Sequence, residues 1–217
     1  DIFDCKIENS NLSNTSILNN YKDASALLIN AHETSIGTLY DLNSVGNFAK
    51  ENNMLHIVDA ISMFITDELD MQKYNIDALI ISSHKGLALP PGLSMIILSP
   101  KAINKINPKH QLYFDFNSYL NDGARGQTPF TPAVTIILQL HARLEQIIND
   151  GIEFHISKAK DVANYFRESI KDCYQAYANF VLKNSKIKKV TVGARNSDLN
   201  LEKFWTKCKN IEFIDEA

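Results

Sequence analysis

The sequence predicts an α/β protein built on a mostly parallel sheet. Short apolar runs rich in β-branched residues recur at residues 54–58 (MLHIV), 77–81 (DALII) and 93–98 (LSMIIL). Near-continuous runs of this kind suit strands covered on both faces. Segments with helical patterning alternate with them, as crossovers between parallel strands require. The chain is also long enough, at 217 residues and 45% hydrophobic, to bury a substantial core.

Taken in order, the first twenty residues are rich in Asn and Ser, lack periodicity, and read as loop or frayed structure. Residues 24–30 (ASALLIN) read as the first strand, and the polar stretch His32-Glu33-Thr34-Ser35-Ile36-Gly37 follows it directly. Residues 43–52 read as a helix capped by Asn43 or Ser44. The strand at 54–58 ends at Asp59, and a connector through residues 69–74 leads to the strand at 77–81. A short helix is expected over 100–106. The clearest helix begins at Pro132, with Thr131 suited to the N-cap and Gly151 to the stop. Val134, Ile137, Leu138, His141, Leu144, Ile147 and Ile148 give it one apolar-leaning stripe. A second helix is expected over 153–172. The tail then turns α+β, with a strand at 187–192 and a helix at 199–208. That change near Gly151 predicts a large domain over 1–150. Residues 151–217 then form an interdomain helix and a partial small domain.

Composition removes several functional classes. A formal net charge of −3 gives no electrostatic case for nucleic acid or an anionic membrane. The basic cluster at 183–189 is short, interrupted, and reads as a solvated face. Cys5, Cys173 and Cys208 are far apart and without metal-ligand spacing, which suits a reducing compartment. No metal site is expected. No apolar run approaches the ~20 residues of a membrane helix, and no signal peptide opens the chain. A cytoplasmic protein is the expectation.

The chemistry gathers at strand ends. Lys85 lies in the segment SSHKGLALPPGL, between the strand at 77–81 and a Pro-Pro-Gly turn. Carboxyl ends of strands are where α/β sheets hold their ligands. Taken alone, Asp59 reads as a cap and Lys85 as a surface residue. The pair is more informative, because pyridoxal 5'-phosphate demands both. A lysine amine forms the Schiff base, and a carboxylate keeps the pyridine nitrogen protonated so that the ring can withdraw electrons. The phosphate needs donors, and the start of the Pro132 helix offers N–H groups and partial positive charge. Gly126-Gln127-Thr128-Pro129-Phe130-Thr131 adds two threonine hydroxyls outside the helix and an amide side chain. Thr131 could equally cap its own helix, and His84 could bond the phosphate or merely pack in its turn.

These residues carry a family resemblance. The chain resembles the class V aminotransferases of pyridoxal-phosphate fold type I, nearest the alanine–glyoxylate, serine–pyruvate and 2-aminoethylphosphonate–pyruvate group. Glu33-Thr34-Ser35-Ile36-Gly37 matches a Glu-Ser/Thr-Ser/Thr-x-Gly element. Val58-Asp59-Ala60 matches the strand-end aspartate, and residues 83–92 match Ser-x-Lys-Gly/Ala-Leu-x-x-Pro-Pro-Gly. The resemblance runs in order over residues 24–151. It implies the fold type I large domain with a partial α+β small domain, and a homodimer without nucleic-acid or membrane partners. It also implies transfer of an amino group from a small amino acid or aminophosphonate to a 2-oxo acid.

By the same resemblance, Lys85 is Schiff base and proton shuttle, Asp59 holds the pyridine nitrogen, and Thr34 contacts the region of the ring hydroxyl. His84 stands where many relatives have a phosphate-contacting Gln. Gln127, Thr128 and Thr131 reach the cofactor of the partner subunit. The family's upstream phosphate loop and ring-stacking aromatic are not found in this sequence, so a partial chain is expected. Arg195 is the only arginine of the tail and is not assigned to the substrate carboxylate. Two other readings stand beside this one. A cysteine desulfurase-like enzyme shares the His-Lys pair, but it needs a mobile reactive thiol, and Cys208 sits in an expected helix. A non-catalytic dimerisation module is the other.

Overall fold

The computed structural model describes residues 15–34, 38–107 and 111–170. The tail strand and tail helix, Arg195, the three cysteines, and residues 35–37 of the Glu33 element lie outside the described residues, as does the chain through residue 14. Residues Thr15–Tyr21 form a short 3-10 helix, where the sequence predicts loop.

Four strands make one sheet: β1 (Ala26–Asn30), β4 (Leu55–Asp59), β5 (Ala78–Ser82) and β6 (Ser94–Leu98), adjacent in that order. β1, β4 and β5 run parallel, and β6 returns antiparallel to β5. The expected parallel sheet therefore carries one antiparallel edge, made by the Pro-Pro-Gly reversal. A separate two-stranded ribbon pairs β2 (His32–Glu33) with β3 (Thr38–Leu39).

Register places Leu27, Ile29, Val58, Leu79 and Ile81 on one face. They pack with Leu42 and Val45 of α1 (Leu42–Glu51) and with Met63 and Ile76 from the connections. Burying each such side chain contributes about 1.5–3 kcal/mol. Central β5 is almost wholly buried, as its composition predicts, while Leu28 on edge strand β1 is 70% exposed. Asp41 caps α1, in place of Asn43 or Ser44. Its carboxylate accepts the backbone N–H groups of Asn43 and Ser44, at 3.0 and 3.3 Å. The reason is Leu42: this side chain belongs to the core, so the helix must start one residue before the expected cap. The Ser44 hydroxyl, bonded to the same carboxylate, holds the Asp41 pKa below its ordinary value.

Helices α2 (Pro100–Ile103) and α3 (Phe116–Gly123) follow, the latter absent from the sequence expectation. Then come α4 (Val134–Asp150) and α5 (Ile152–Ser169), flanking Gly151. The structure corrects the start of α4. Thr131 is not its N-cap; Ala133 is, and no side chain caps the helix. Ala133 has φ −75° and ψ 70°, an inverse γ-turn in which the Val134 N–H donates to the Pro132 carbonyl at 2.9 Å. That bond takes the donor a threonine cap would need. The apolar stripe on α4 is real, but only Ile147 is buried. Val134, Leu138 and Ile148 are 56–77% exposed.

Candidate functional site

The loop after β5 is tied across its base by one residue. Ser83 is fully buried; its N–H donates to Leu93 O (3.0 Å), its carbonyl accepts from Leu89 N (3.0 Å), and its hydroxyl donates to Pro90 O (2.7 Å). Three bonds from one serine clamp both arms of the loop, and Ala88 N closes a turn on Lys85 O at 2.8 Å. Leu87 is buried against Ile65 and Ile147 while Lys85, two positions earlier, is exposed. The loop between strand and Pro-Pro-Gly turn is thus anchored on one side while the Lys85 side chain faces outward.

Two glycines permit the anchoring. A Cβ on Gly86 would lie 2.1 Å from Phe64 O, and one on Gly92, at φ 133°, would lie 2.8 Å from Cδ1 of Ile136 on α4. Arg143 of α4 also donates from Nε to Leu87 O at 3.2 Å. Ile65 (φ 71°) and Ala88 (φ 56°) are left-handed. Such conformations cost on the order of 1–3 kcal/mol each and concentrate where a site must be held in place.

Lys85 and Asp59 emerge from the carboxyl ends of neighbouring parallel strands, as predicted. Asp59 is the last residue of β4 and is half-buried; its Oδ1 accepts Ile61 N at 2.9 Å. Among the described residues, its Oδ2 has no partner. Lys85 Nζ donates to Ser62 Oγ at 3.2 Å and, among the described residues, meets no carboxylate. Thr34, immediately after β2, comes to the same hydroxyl, with Oγ1 3.4 Å from Ser62 Oγ. Three loops therefore meet at Ser62. His84 is exposed, and its Nδ1 lies 2.7 Å from Ser82 Oγ.

The third predicted group stands apart. Thr128 Oγ1 donates to Phe130 O at 2.7 Å. Gln127 and Thr131 are exposed, and among the described residues none of the three bonds Asp59, His84 or Lys85. Because Thr131 does not cap α4, its hydroxyl stays unused within the described residues.

Sequence reasoning missed Ser62, His32 and Arg143. Ser62 lies three residues past Asp59, in the turn that the Asp59 carboxylate starts, and that spacing was the available signal. Arg143 is 56 positions from Leu87, and nothing local pairs them.

The donor set fits pyridoxal 5'-phosphate. Among the described residues it offers an exposed amine held by a neutral hydroxyl, and a carboxylate with one oxygen unpartnered. The Thr34 hydroxyl reaches the same serine oxygen as the amine. An amine locked in an ion pair would not fit, and among the described residues Lys85 Nζ meets no carboxylate.

Comparison with known proteins agrees. The family described as Aminotransferase class-V matches residues 7–203. An uncharacterized aminotransferase of Methanocaldococcus jannaschii is 32% identical over 159 residues, covering 71% of this chain and 41% of that protein. The serine–glyoxylate aminotransferase of Arabidopsis thaliana is 30% identical over 138 residues, 61% of this chain and 34% of that protein. The crystal structure of alanine–glyoxylate aminotransferase from Nostoc sp. superposes with a TM-score of 0.67 over 73% of this chain and 43% of that one, at 22% identity, and bears on the fold alone. The chain thus spans less than half the length of these relatives. Fold, ordered strand-end residues and family match converge: the chain belongs to the class-V aminotransferases.

Proposed function

We propose that the protein is a pyridoxal 5'-phosphate-dependent aminotransferase that moves an amino group from a small amino acid or aminophosphonate to a 2-oxo acid. One observation carries the reading. Past the ends of two neighbouring parallel strands, the Lys85 amine rests on a neutral hydroxyl and, among the described residues, Asp59 keeps one carboxylate oxygen without a partner. When bound, the cofactor supplies an electron sink for the bond broken at the substrate α-carbon. The rest falls to this chain. Lys85 Nζ forms the covalent attachment and moves a proton. Asp59 places negative charge where the ring nitrogen needs it. Thr34 offers its hydroxyl at the ring edge, and His84 offers the ring nitrogen not engaged by Ser82 to the phosphate.

The active form in this reading is a cytoplasmic homodimer. The exposed α4 start and the unused hydroxyl of Thr131 support it, with Gln127 and Thr128 beside them serving the partner's cofactor. Residues 1–150 act as the large domain, and residues 151–217 as an interdomain helix and a partial small domain. The test is to add pyridoxal 5'-phosphate, follow the visible absorbance of the carbonyl–amine linkage, fix it with borohydride and map the modified peptide. Modification at Lys85, lost in Lys85→Ala together with amino transfer, is expected. An adduct at another lysine overturns the assignment.

A further inference from the structure

The turn after β4 holds a polar cluster for which the proposed chemistry gives no reason. Ser62 presents its hydroxyl to Lys85 Nζ at 3.2 Å and to Thr34 Oγ1 at 3.4 Å. Its carbonyl oxygen is bonded from the other side, by His32 Nδ1 at 3.1 Å and Thr66 Oγ1 at 3.0 Å. The far nitrogen of His32 lies 3.0 Å from Asp67 Oδ2. Ala60 and Met63 are buried on either side, so this segment is pinned by packing as well as by hydrogen bonds. A carbonyl and a carboxylate both accept only, so the two contacts use an N–H on each ring nitrogen of His32, Nδ1 toward Ser62 O and Nε2 toward Asp67. His32 is thereby a brace from the β1–β2 junction to the Ser62 turn, and Asp67 orients it.

We infer that Ser62 is the positioning residue for the Lys85 amine, fixing where it waits before and after covalent capture of the cofactor, with His32 and Asp67 holding Ser62 in place. The inference rests on the reading of Lys85 given above. A free lysine side chain has four rotatable bonds and loses much of their freedom when it reacts, so a partner that pre-sets the amine raises the fraction of reactive geometries. A hydroxyl suits this role better than a carboxylate. It holds the amine in either protonation state, as acceptor or as donor, and does not trap it as an ion pair. Thr34 adjoins the same oxygen, so the ring edge and the amine are referenced to one atom.

The experiment compares Ser62→Thr with Ser62→Val in the full chain. Threonine and valine have nearly the same shape, so the pair isolates the hydroxyl from packing. The first readout is the rate at which added pyridoxal 5'-phosphate is captured, with the adduct mapped after borohydride. The second is the thermal midpoint of each variant. Ser62→Thr should capture at a rate within about threefold of the parent and Ser62→Val about tenfold more slowly, the value of one hydrogen bond to a charged group. The two midpoints should coincide. If the parent is modified at Lys85 but both variants capture at equal rates, Ser62 does not position the amine and the functional reading stands. If the parent is not modified at Lys85, the functional reading fails and this inference falls with it.

Discussion

The Cα of Gly86 faces the carbonyl oxygen of Phe64 so closely that a β-carbon there would lie 2.1 Å from that oxygen. This contact joins the turn carrying Ser62 to the loop carrying Lys85, one residue from the amine-bearing position. The obstacle is backbone rather than a flexible side-chain end, so relaxation needs movement of a whole segment.

Gly86→Ala should therefore destabilise the protein by about 3 kcal/mol, at the upper end of overpacking costs. The same change should abolish capture of pyridoxal 5'-phosphate by displacing Lys85 from Ser62. Urea unfolding read beside the absorbance assay checks both. A midpoint equal to the parent's would mean that the two segments do not meet as described.

The sheet was legible because β4 and β5 announce themselves. Residues 54–58 are apolar except for His56 and residues 78–81 are apolar throughout, short β-branched runs that suit covered strands; Asp59 closes β4, and Lys85 follows three residues past the end of β5. In the sequence Ser83 stands out only as part of a motif, yet its three bonds explain the motif. Serine's role there depends on Leu89, Pro90 and Leu93 folding back over it, which periodicity does not encode. The start of α4 misled for a related reason. Thr131-Pro132 has the composition of a cap and first turn, but the γ-turn at Ala133 competes for the same N–H group. The Ser62 cluster drew residues from three loops, and tertiary assembly of that kind leaves no pattern along one strand or helix.

Asp59→Asn tests the charge at the end of β4. Asparagine keeps the shape and can still accept the Ile61 N–H, so the fold and some cofactor binding should survive. Catalysis should not, because a neutral amide does not hold the ring nitrogen protonated. Loss of about 3 kcal/mol of transition-state stabilisation, roughly two orders of magnitude in rate, is expected. Turnover near the parent's removes Asp59 from the site.

Acid should weaken the fold in two stages. His56 is fully buried, with Nδ1 3.1 Å from Tyr74 O and, among the described residues, no partner for Nε2. Burial pushes its pKa below the ordinary 6.5, against the raising effect of the Tyr74 and Asn75 carbonyls and Asp77. Asp77 is pulled below 3.8: its burial acts upward, but Lys101, the His56 N–H and Ser99 outweigh it. In both cases the unfolded chain binds more protons than the native one, so stability falls as pH falls. The His56 stage starts below about pH 6.5, with a slope reaching about 1.4 kcal/mol per pH unit for one proton. The Asp77 contribution is intact above the ordinary carboxylate value and is lost as pH drops through its lowered folded value. His56→Gln should remove the first stage and leave the second. Unfolding curves between pH 7 and 3 for parent and variant show whether it does.

The last prediction concerns Thr131, whose hydroxyl is exposed and does not cap α4. In the proposed homodimer, each chain lends Thr128 and Thr131 to the cofactor phosphate of its partner, as a two-fold interface allows by presenting the same patch twice. Each lost donor to that charged group should cost about 1.5–3 kcal/mol of cofactor affinity. A mixed dimer of one Lys85→Ala chain and one Thr131→Ala chain separates the possibilities. If the contact crosses the interface, both defects fall in one site and the other keeps Lys85 and Thr131 together. Titration should then find half the sites binding pyridoxal 5'-phosphate with the parent's affinity. If each chain serves its own site, the surviving Lys85 is paired with Ala at position 131. No site then binds normally, and the shared-site arrangement is wrong.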